Sequence, residues 1–329
     1  MYTAKWPTLP YWISSINFPR HLRKLQPKPQ PCFIMASNET DIPPFFRIYK
    51  DGKVERYFKI DFVPPSHDPT TDVQSKDVVF SPENAVSARL FLPKSATAHN
   101  QKLPLLIYIH GGGFTLDSAF SSQYHSYVNT LVAEAKAIAV SIEYRLAPEH
   151  ALPACYEDCW EAINWVKLHA TGQGPDPWLN DYADFDRIFI AGDSAGANIA
   201  HHMAIQTGIN GIKILGIILV HPFFADDEAS QLLDFICRDL TGIYDPRRNP
   251  VEEMDMMAKM ECNKVLVCTS EKDGLRGRGW HYYETVKKSN WKGEIELLDF
   301  EEEGHVFHLL NPTSENAALL MKKIVDFLN

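Results

Sequence analysis

Long apolar runs are missing from this chain, acids are missing from residues 1–34, and cysteine is scarce. The longest aliphatic run, Ile214 to Val220, falls far short of the ~20 apolar residues that cross a bilayer, which excludes a membrane-spanning helix. Six cysteines (Cys32, Cys155, Cys159, Cys237, Cys262 and Cys268) in 329 residues are too few for a disulfide scaffold. Cys155 and Cys159 are spaced for one helix face, but no His-x-x-x-His and no second cysteine pair follows them. Buried thiols in a reducing compartment are therefore expected, with no metal and no cofactor. Residues 1–34 hold Lys5, Arg20, Arg23, Lys24 and Lys28 and no acid, so the rest of the chain sets the other 27 of 32 basic side chains against all 42 acidic ones, a charge of −15. A body that acidic has no broad basic surface for a phosphate backbone, which excludes nucleic acid as a partner.

The same opening segment contains six of the chain's 22 prolines, a density that prevents a continuous helix and leaves no periodic apolar face. No secretory apolar core is present among the scattered Lys, Pro and Arg. The segment reads as upstream sequence included by an early start, Met35 being an acceptable beginning, or as an organelle transit peptide or a disordered arm. In each case it is expected to pack little against the body. A cytoplasmic location follows, with plastid or mitochondrial import if the segment is a transit peptide.

Past residue 45, short apolar runs alternate with stretches of helical period. Val86 to Leu92 alternates as a half-buried strand does. Leu103 to Ile109, Ala137 to Ile142, Arg187 to Ile190, Ile214 to Val220 and Lys264 to Thr269 are rich in Val, Ile and Leu, the mark of strands covered on both faces. Gly293 to Phe300 adds another. Helices are expected over 121–135, 153–169, 195–207, 275–289 and 314–328, the second opening on Pro153 with acids in its first turn. This alternation specifies an α/β fold with a mostly parallel sheet and helices on both faces. No repeat or linker divides it, so residues 35–329 form one domain, with a small cap from about 41–65 and 225–250.

In such sheets the chemistry lies beyond the carboxyl ends of the strands. Three post-strand loops carry suitable residues. The strand ending at Ala191 runs into Gly192-Asp193-Ser194-Ala195-Gly196 and then a helix. Gly-x-Ser-x-Gly alone recurs by chance in roughly one chain of this length in ten; the strand–turn–helix context is what marks Ser194 as a nucleophile. The second loop, His110-Gly111-Gly112-Gly113-Phe114, follows the strand Leu103 to Ile109 and precedes the serine turn in the chain. Its glycines let backbone N–H groups turn toward a developing oxyanion. The third requirement is an imidazole to take the serine proton and a carboxylate to hold that imidazole. Asp273 and His305 each follow a strand, in the order Ser, acid, His used by α/β-hydrolases. Glu271 is an alternative acid, and His308 or His281 an alternative base. Glu271 is closer to its strand and expected to point back beside it, and His308 lies one helical turn past His305. Phe114, Leu116, Phe120, Phe223 and Phe224 follow strand ends and are candidates to line an apolar substrate pocket, although core packing beneath the cap explains the last two equally well. Tyr49 to Arg56 and 225–245 are candidates for a lid.

At these residues the chain resembles the plant carboxylesterase family, the hormone-sensitive-lipase-like branch of the α/β-hydrolases. The resemblance covers most of the chain, from about Pro43 to the end. It rests on the glycine loop and serine turn, on Phe46 to Arg56, on Glu143-Tyr144-Arg145-Leu146-Ala147-Pro148-Glu149-His150, on Tyr156-Glu157-Asp158, on Glu271 to Arg276 and on His305 to His308. It implies Ser194, Asp273 and His305 as a catalytic triad, with N–H groups of Gly112, Gly113 and Ala195 as the oxyanion hole. The implied activity is hydrolysis of small to medium carboxylic esters by a monomer or weak homodimer. The family also holds gibberellin receptors that have lost the histidine, alkaloid-forming cyclases, and 2-hydroxyisoflavanone dehydratases, which this chain resembles closely at Ala197 to His201. A dehydratase acting on a flavonoid-like alcohol is therefore the alternative, and a non-catalytic receptor a third. One departure concerns the cap: only about twenty residues separate Phe224 from Asp245-Pro246-Arg247-Arg248-Asn249-Pro250, where relatives carry more.

Overall fold

The computed structural model describes residues 39–99, 102–225, 231–237, 247–252 and 254–329. The extension expected over residues 1–34 lies outside them, as do residues 226–230 and 238–246 of the stretch expected to form the second part of a cap. Three short strands come first, β1 (Thr40–Ile42), β2 (Phe46–Ile48) and β3 (Val54–Arg56), paired antiparallel in that order. The main sheet follows from β4 (His67–Asp68), β5 (Val73–Ser81), β6 (Val86–Pro93), β7 (Leu103–Ile109), β8 (Ile138–Glu143), β9 (Ala183–Asp193), β10 (Gly216–Val220), β11 (Lys264–Ser270) and β12 (Glu294–Phe300). Its order among the described residues is β12-β11-β10-β9-β7-β8-β6-β5-β4. From β12 through β8 every pairing is parallel, and β8 through β4 pair antiparallel.

The helices in chain order are α1 (Lys94–His99), α2 (Ser122–Ala135), α3 (Ala154–Lys167), α4 (Pro177–Tyr182), α5 (Ala195–Ile209), α6 (Gln231–Ile236), α7 (Met254–Met257), α8 (Arg276–Lys288), α9 (Phe307–Leu310) and α10 (Glu315–Leu328). The strands explain why helices cover both faces. All seven residues of β7 are buried; Leu105, Ile107 and Ile109 join one core cluster, and Leu106 and Tyr108 the other. Successive strand side chains point to opposite faces, so a strand apolar at every position needs cover on both sides. Helices α3, α5 and α8 supply one cover and α2 and α10 the other. On α10 the buried residues Ala317, Leu320, Ile324, Phe327 and Leu328 fall on one stripe. Helix α5 is buried nearly all round, because it lies between β9–β10 and α3, and its Gly196, Ala197, Ala200 and Ala204 permit close approach. The five described cysteines are buried.

The connectivity leaves one crevice. From β7 the chain passes to β8 on one side, and from the adjacent β9 it passes to β10 on the other. Neighbouring strands whose exits diverge open a cleft at their carboxyl ends, the usual ligand position in sheets of this kind. The glycine loop leaves β7 and the serine turn leaves β9, so these two loops flank the cleft. Several elements go beyond the sequence reading: the short strands β1 to β4, the short helices α1, α4, α6, α7 and α9, and two features of the main sheet. β9 begins at Ala183, four residues before Arg187, and β5 forms a full antiparallel strand with an alternating, half-open face.

Candidate active site

Ser194 occupies a turn that few side chains tolerate. Its φ is +51° and its ψ −119°, a conformation that costs a non-glycine residue about 1–3 kcal/mol. The flanking glycines are dictated by space: a Cβ on Gly192 would lie 2.5 Å from the carbonyl carbon of Gly196, and one on Gly196 would lie 2.1 Å from the Ile109 oxygen. The turn thus presses the start of α5 against the end of β7 and lifts the Ser194 hydroxyl beyond the sheet edge.

Of the residues expected to activate the serine, the structure brings together Asp273 and His305. His305 Nδ1–H donates to Asp273 Oδ2 at 2.8 Å, leaving Nε2 free to accept from the Ser194 hydroxyl at 3.0 Å. Burial opposes charge on Asp273, but the hydrogen bond and nearby charge of His305 and the Leu275 N–H (2.9 Å) outweigh it and hold the carboxyl below its ordinary value. The alternatives sit elsewhere. Glu271 is exposed and accepts the Glu302 N–H at 2.9 Å. His281 lies exposed on α8, and His308 is buried with its ring edge-on to Tyr127.

The glycine loop commits only one of its three glycine amides to a partner among the described residues. Gly111 N–H is taken by the Tyr124 hydroxyl at 2.8 Å, whereas the N–H groups of Gly112 and Gly113 have no acceptor among the described residues. Gly112 and Gly113 both have positive φ, +97° and +60°, and a Cβ on Gly112 would lie 2.2 Å from the Leu116 oxygen. Ala195 is the first residue of α5, and the first N–H groups of a helix have no acceptor within it. The arrangement can therefore place main-chain donors beside a reactive hydroxyl.

Asp193 and Glu143 brace this loop, a role that the sequence motifs containing them did not reveal. Asp193, buried beneath the turn, accepts from Tyr108 at 2.9 Å and from Tyr124 at 2.7 Å. Tyr124 thereby links the serine turn to Gly111. Burial pushes the Asp193 carboxyl up to about 6 against these two hydrogen bonds. Glu143, at the end of β8, accepts the Ser118 hydroxyl and the Ala119 N–H, each at 2.7 Å, and burial raises it to about 7. From the end of β3, Arg56 reaches the Thr115 carbonyl at 2.6 Å and grips both oxygens of Glu149 at 2.8 and 2.7 Å. Phe45 lies against Gly113, and Phe46 packs on Phe235 of α6 with ring centroids 5.9 Å apart.

The five candidate pocket residues separate. Phe114 and Phe223 meet edge to face at 6.0 Å, and Leu116 closes the turn that starts at Gly112, its N–H bonded to the Gly112 carbonyl. Phe224 instead points into the core against Tyr282 and His201, ring centroids 4.8 and 5.8 Å away. Phe120 lies under the Arg89 guanidinium at 5.0 Å. One cluster among the described residues has spacing that suits a metal: His221, Asp273 and His305, with ligand-type atoms within 4.8 Å of one another. Its atoms are engaged in hydrogen bonds instead, Asp273 with His305 and His221 with Val306 and Ser270.

Residues 106–309 match a family model described as the alpha/beta hydrolase fold. A protein of Arabidopsis thaliana named probable carboxylesterase 4, mitochondrial, is 43% identical over 94% of this chain and 89% of its own length. The chain belongs to the plant carboxylesterase family of α/β-hydrolases. Within the family it is also 42% identical to the 2-hydroxyisoflavanone dehydratase of Glycyrrhiza echinata, over 88% of this chain and 96% of that one. Among solved structures, a fungal esterase from Rhizomucor miehei shares the fold, with a TM-score of 0.68 at 22% identity over 79% of this chain and 85% of the other. No helix among the described residues is long and apolar enough to cross a membrane.

Proposed function

We propose that this carboxylic ester hydrolase works through an acyl-serine intermediate, with Ser194 as nucleophile, His305 as general base and acid, and Asp273 as its orienting carboxylate. The unbroken hydrogen-bonded line from Ser194 Oγ through His305 to Asp273 carries the reading. As the serine oxygen attacks the ester carbonyl, His305 Nε2 takes its proton, and Asp273 fixes the tautomer and offsets the imidazolium charge. The carbonyl oxygen becomes an oxyanion facing the N–H groups of Gly112, Gly113 and Ala195, where losing one donor typically costs ~2.7–4 kcal/mol. His305 then gives its proton to the departing alcohol, and water releases the acid by the same steps. Phe114, Leu116 and Phe223 form the apolar side of the pocket, suited to small or medium esters. The protein acts as a monomer or weak homodimer without metal or cofactor. Its location is cytoplasmic, or mitochondrial or plastidial if residues 1–34 direct import.

Ser194→Ala should lower kcat for p-nitrophenyl butyrate by up to ~10⁶-fold. Turnover by that variant at the native rate overturns the assignment. The likeness to a dehydratase supports a second reading, in which the same histidine removes a carbon-bound proton and no acyl-enzyme forms. Product analysis with an ester and with a 2-hydroxyisoflavanone separates the two.

A further inference from the structure

His221 is a buried imidazole that the mechanism above leaves unused. It follows β10 directly, at φ +48°, a backbone state in which His and Asn are enriched over other residues. Both ring nitrogens are committed. Nδ1 accepts the Val306 N–H at 3.1 Å, which puts the ring proton on Nε2, 2.6 Å from Ser270 Oγ. Burial, with His305 adding to it, pushes this imidazole down to about 3, so the ring stays neutral across the working range. A neutral imidazole offers one donor and one acceptor on a rigid plane, and both are required here.

The partners sit at informative places. Val306 is the residue after His305 and also has φ +48°. Ser270 ends β11, and its carbonyl accepts the Asp273 N–H at 3.2 Å. The residue before His221, Val220, accepts the Ser194 N–H at 2.9 Å, and His221 N–H itself binds the Cys268 carbonyl at 2.8 Å. Val220 and His221 therefore touch all three loops that carry Ser194, Asp273 and His305. Apolar packing alone would not select an imidazole here, since a buried polar ring is unfavourable unless its nitrogens are bonded.

We propose that His221 is a positioning residue for ester cleavage, tying the His305 loop to the ends of β10 and β11 so that His305 Nε2 stays within reach of Ser194. The inference rests on the Ser194–His305–Asp273 reading above. Misplacement of a reacting group by 1 Å costs on the order of 10²-fold in rate. His221→Leu removes both bonds and should lower kcat for p-nitrophenyl butyrate by ~10²-fold with KM changed less than ~2-fold, since substrate binding is not what the ring supports. His221→Asn suits the left-handed backbone and places Oδ1 to accept the Val306 N–H; it should retain kcat within ~3-fold of the native value. Ser270→Ala, like His221→Asn, keeps the Val306 bond and loses only the outer anchor, so it should lower kcat by a comparable ~2- to 3-fold. It decides the matter if the leucine variant does not fold. Native kcat in His221→Leu or in Ser270→Ala overturns the proposal, as does an asparagine variant no better than a folded leucine one. Ser194→Ala is measured alongside. If it is active, the underlying mechanism fails; if it is inactive while His221→Leu is fully active, only the role of His221 fails.

Discussion

Glycines that look alike in the sequence differ in what an added methyl group would meet, and substitution tests that difference directly. Gly196 and Gly304 each adjoin a loop that carries a proposed catalytic residue. A Cβ at Gly196 would lie 2.1 Å from the Ile109 carbonyl oxygen and 2.5 Å from that of His110, whereas one at Gly304 has nothing within 4 Å. Such contacts are far inside van der Waals distance, so Gly196→Ala must drive α5 and the end of β7 apart by roughly 1 Å, and the opposing atoms are backbone that cannot rotate away. Overpacking of this kind costs ~1–3 kcal/mol of stability. The separation also moves the Ala195 N–H and the Ser194 hydroxyl relative to Gly112 and Gly113. A 1 Å error in a reacting geometry is worth ~10²-fold, and the complete loss of one oxyanion donor ~2.7–4 kcal/mol, so kcat should fall by ~10²- to 10³-fold. Gly304→Ala and Gly274→Ala, the latter equally open, should stay within ~3-fold. The assay is steady-state hydrolysis of p-nitrophenyl butyrate, with thermal melts to show that each variant is folded. A Gly196→Ala enzyme with near-native kcat, or a Gly304→Ala enzyme as impaired as Gly196→Ala, would refute the reasoning.

Phe224, packed on Tyr282 and His201, should act through stability: Phe224→Ala loses ~3–5 kcal/mol in urea unfolding, while Phe223→Ala changes KM more than stability, and the reverse ranking would place Phe224 in the pocket. Acid should weaken the fold. His110, His201 and His221 are held by burial at about 4, 3 and 3, and His308 is likewise well below its ordinary value, so the unfolded chain takes up protons below about 6.5 that the native state refuses. Glu143 and Asp193, raised by burial to about 7 and 6, act in the opposite sense but are fewer. Stability should therefore fall by about 1–3 kcal/mol per pH unit from pH 6.5 to 4.5, and a rise across that window would contradict the burial argument.

The sheet's centre was legible because its strands are buried on both faces and read as unbroken apolar runs. Leu103 to Ile109 appears in the structure with the same bounds. β5 escaped notice because Gln74, Lys76 and Asp77 interrupt it, as suits an antiparallel strand with one half-open face. The first four residues of β9, Ala183 to Asp186, were hidden in the same way by two aspartates. In the site, the Gly-x-Ser-x-Gly turn marked Ser194, and position after a strand nominated Asp273 and His305 beside the alternatives Glu271, His308 and His281; the structure joins Ser194, His305 and Asp273 by hydrogen bonds. The supporting residues were not legible. Asp193 occupies the variable place in Gly-x-Ser-x-Gly, and its tyrosine partners lie 85 and 69 residues away, so no local pattern could reveal it. An acid directly following the apolar run Ile188 to Gly192 was the available clue, since a buried carboxyl demands donors. Phe223 and Phe224 could not be separated because alternation ends with the strand, and the turn after it decides which ring faces inward.

The donors proposed to hold the oxyanion belong to the main chain, whereas the groups proposed to move the proton belong to side chains. Substitution can delete Ser194, His305 or Asp273 with a single base change, but it cannot delete an amide N–H except by introducing proline. A duplicated copy released from selection would thus lose proton transfer long before it lost the cradle for a carbonyl or carboxylate oxygen. The inherited tendency of such a scaffold is to become a protein that grips its former substrate without cutting it.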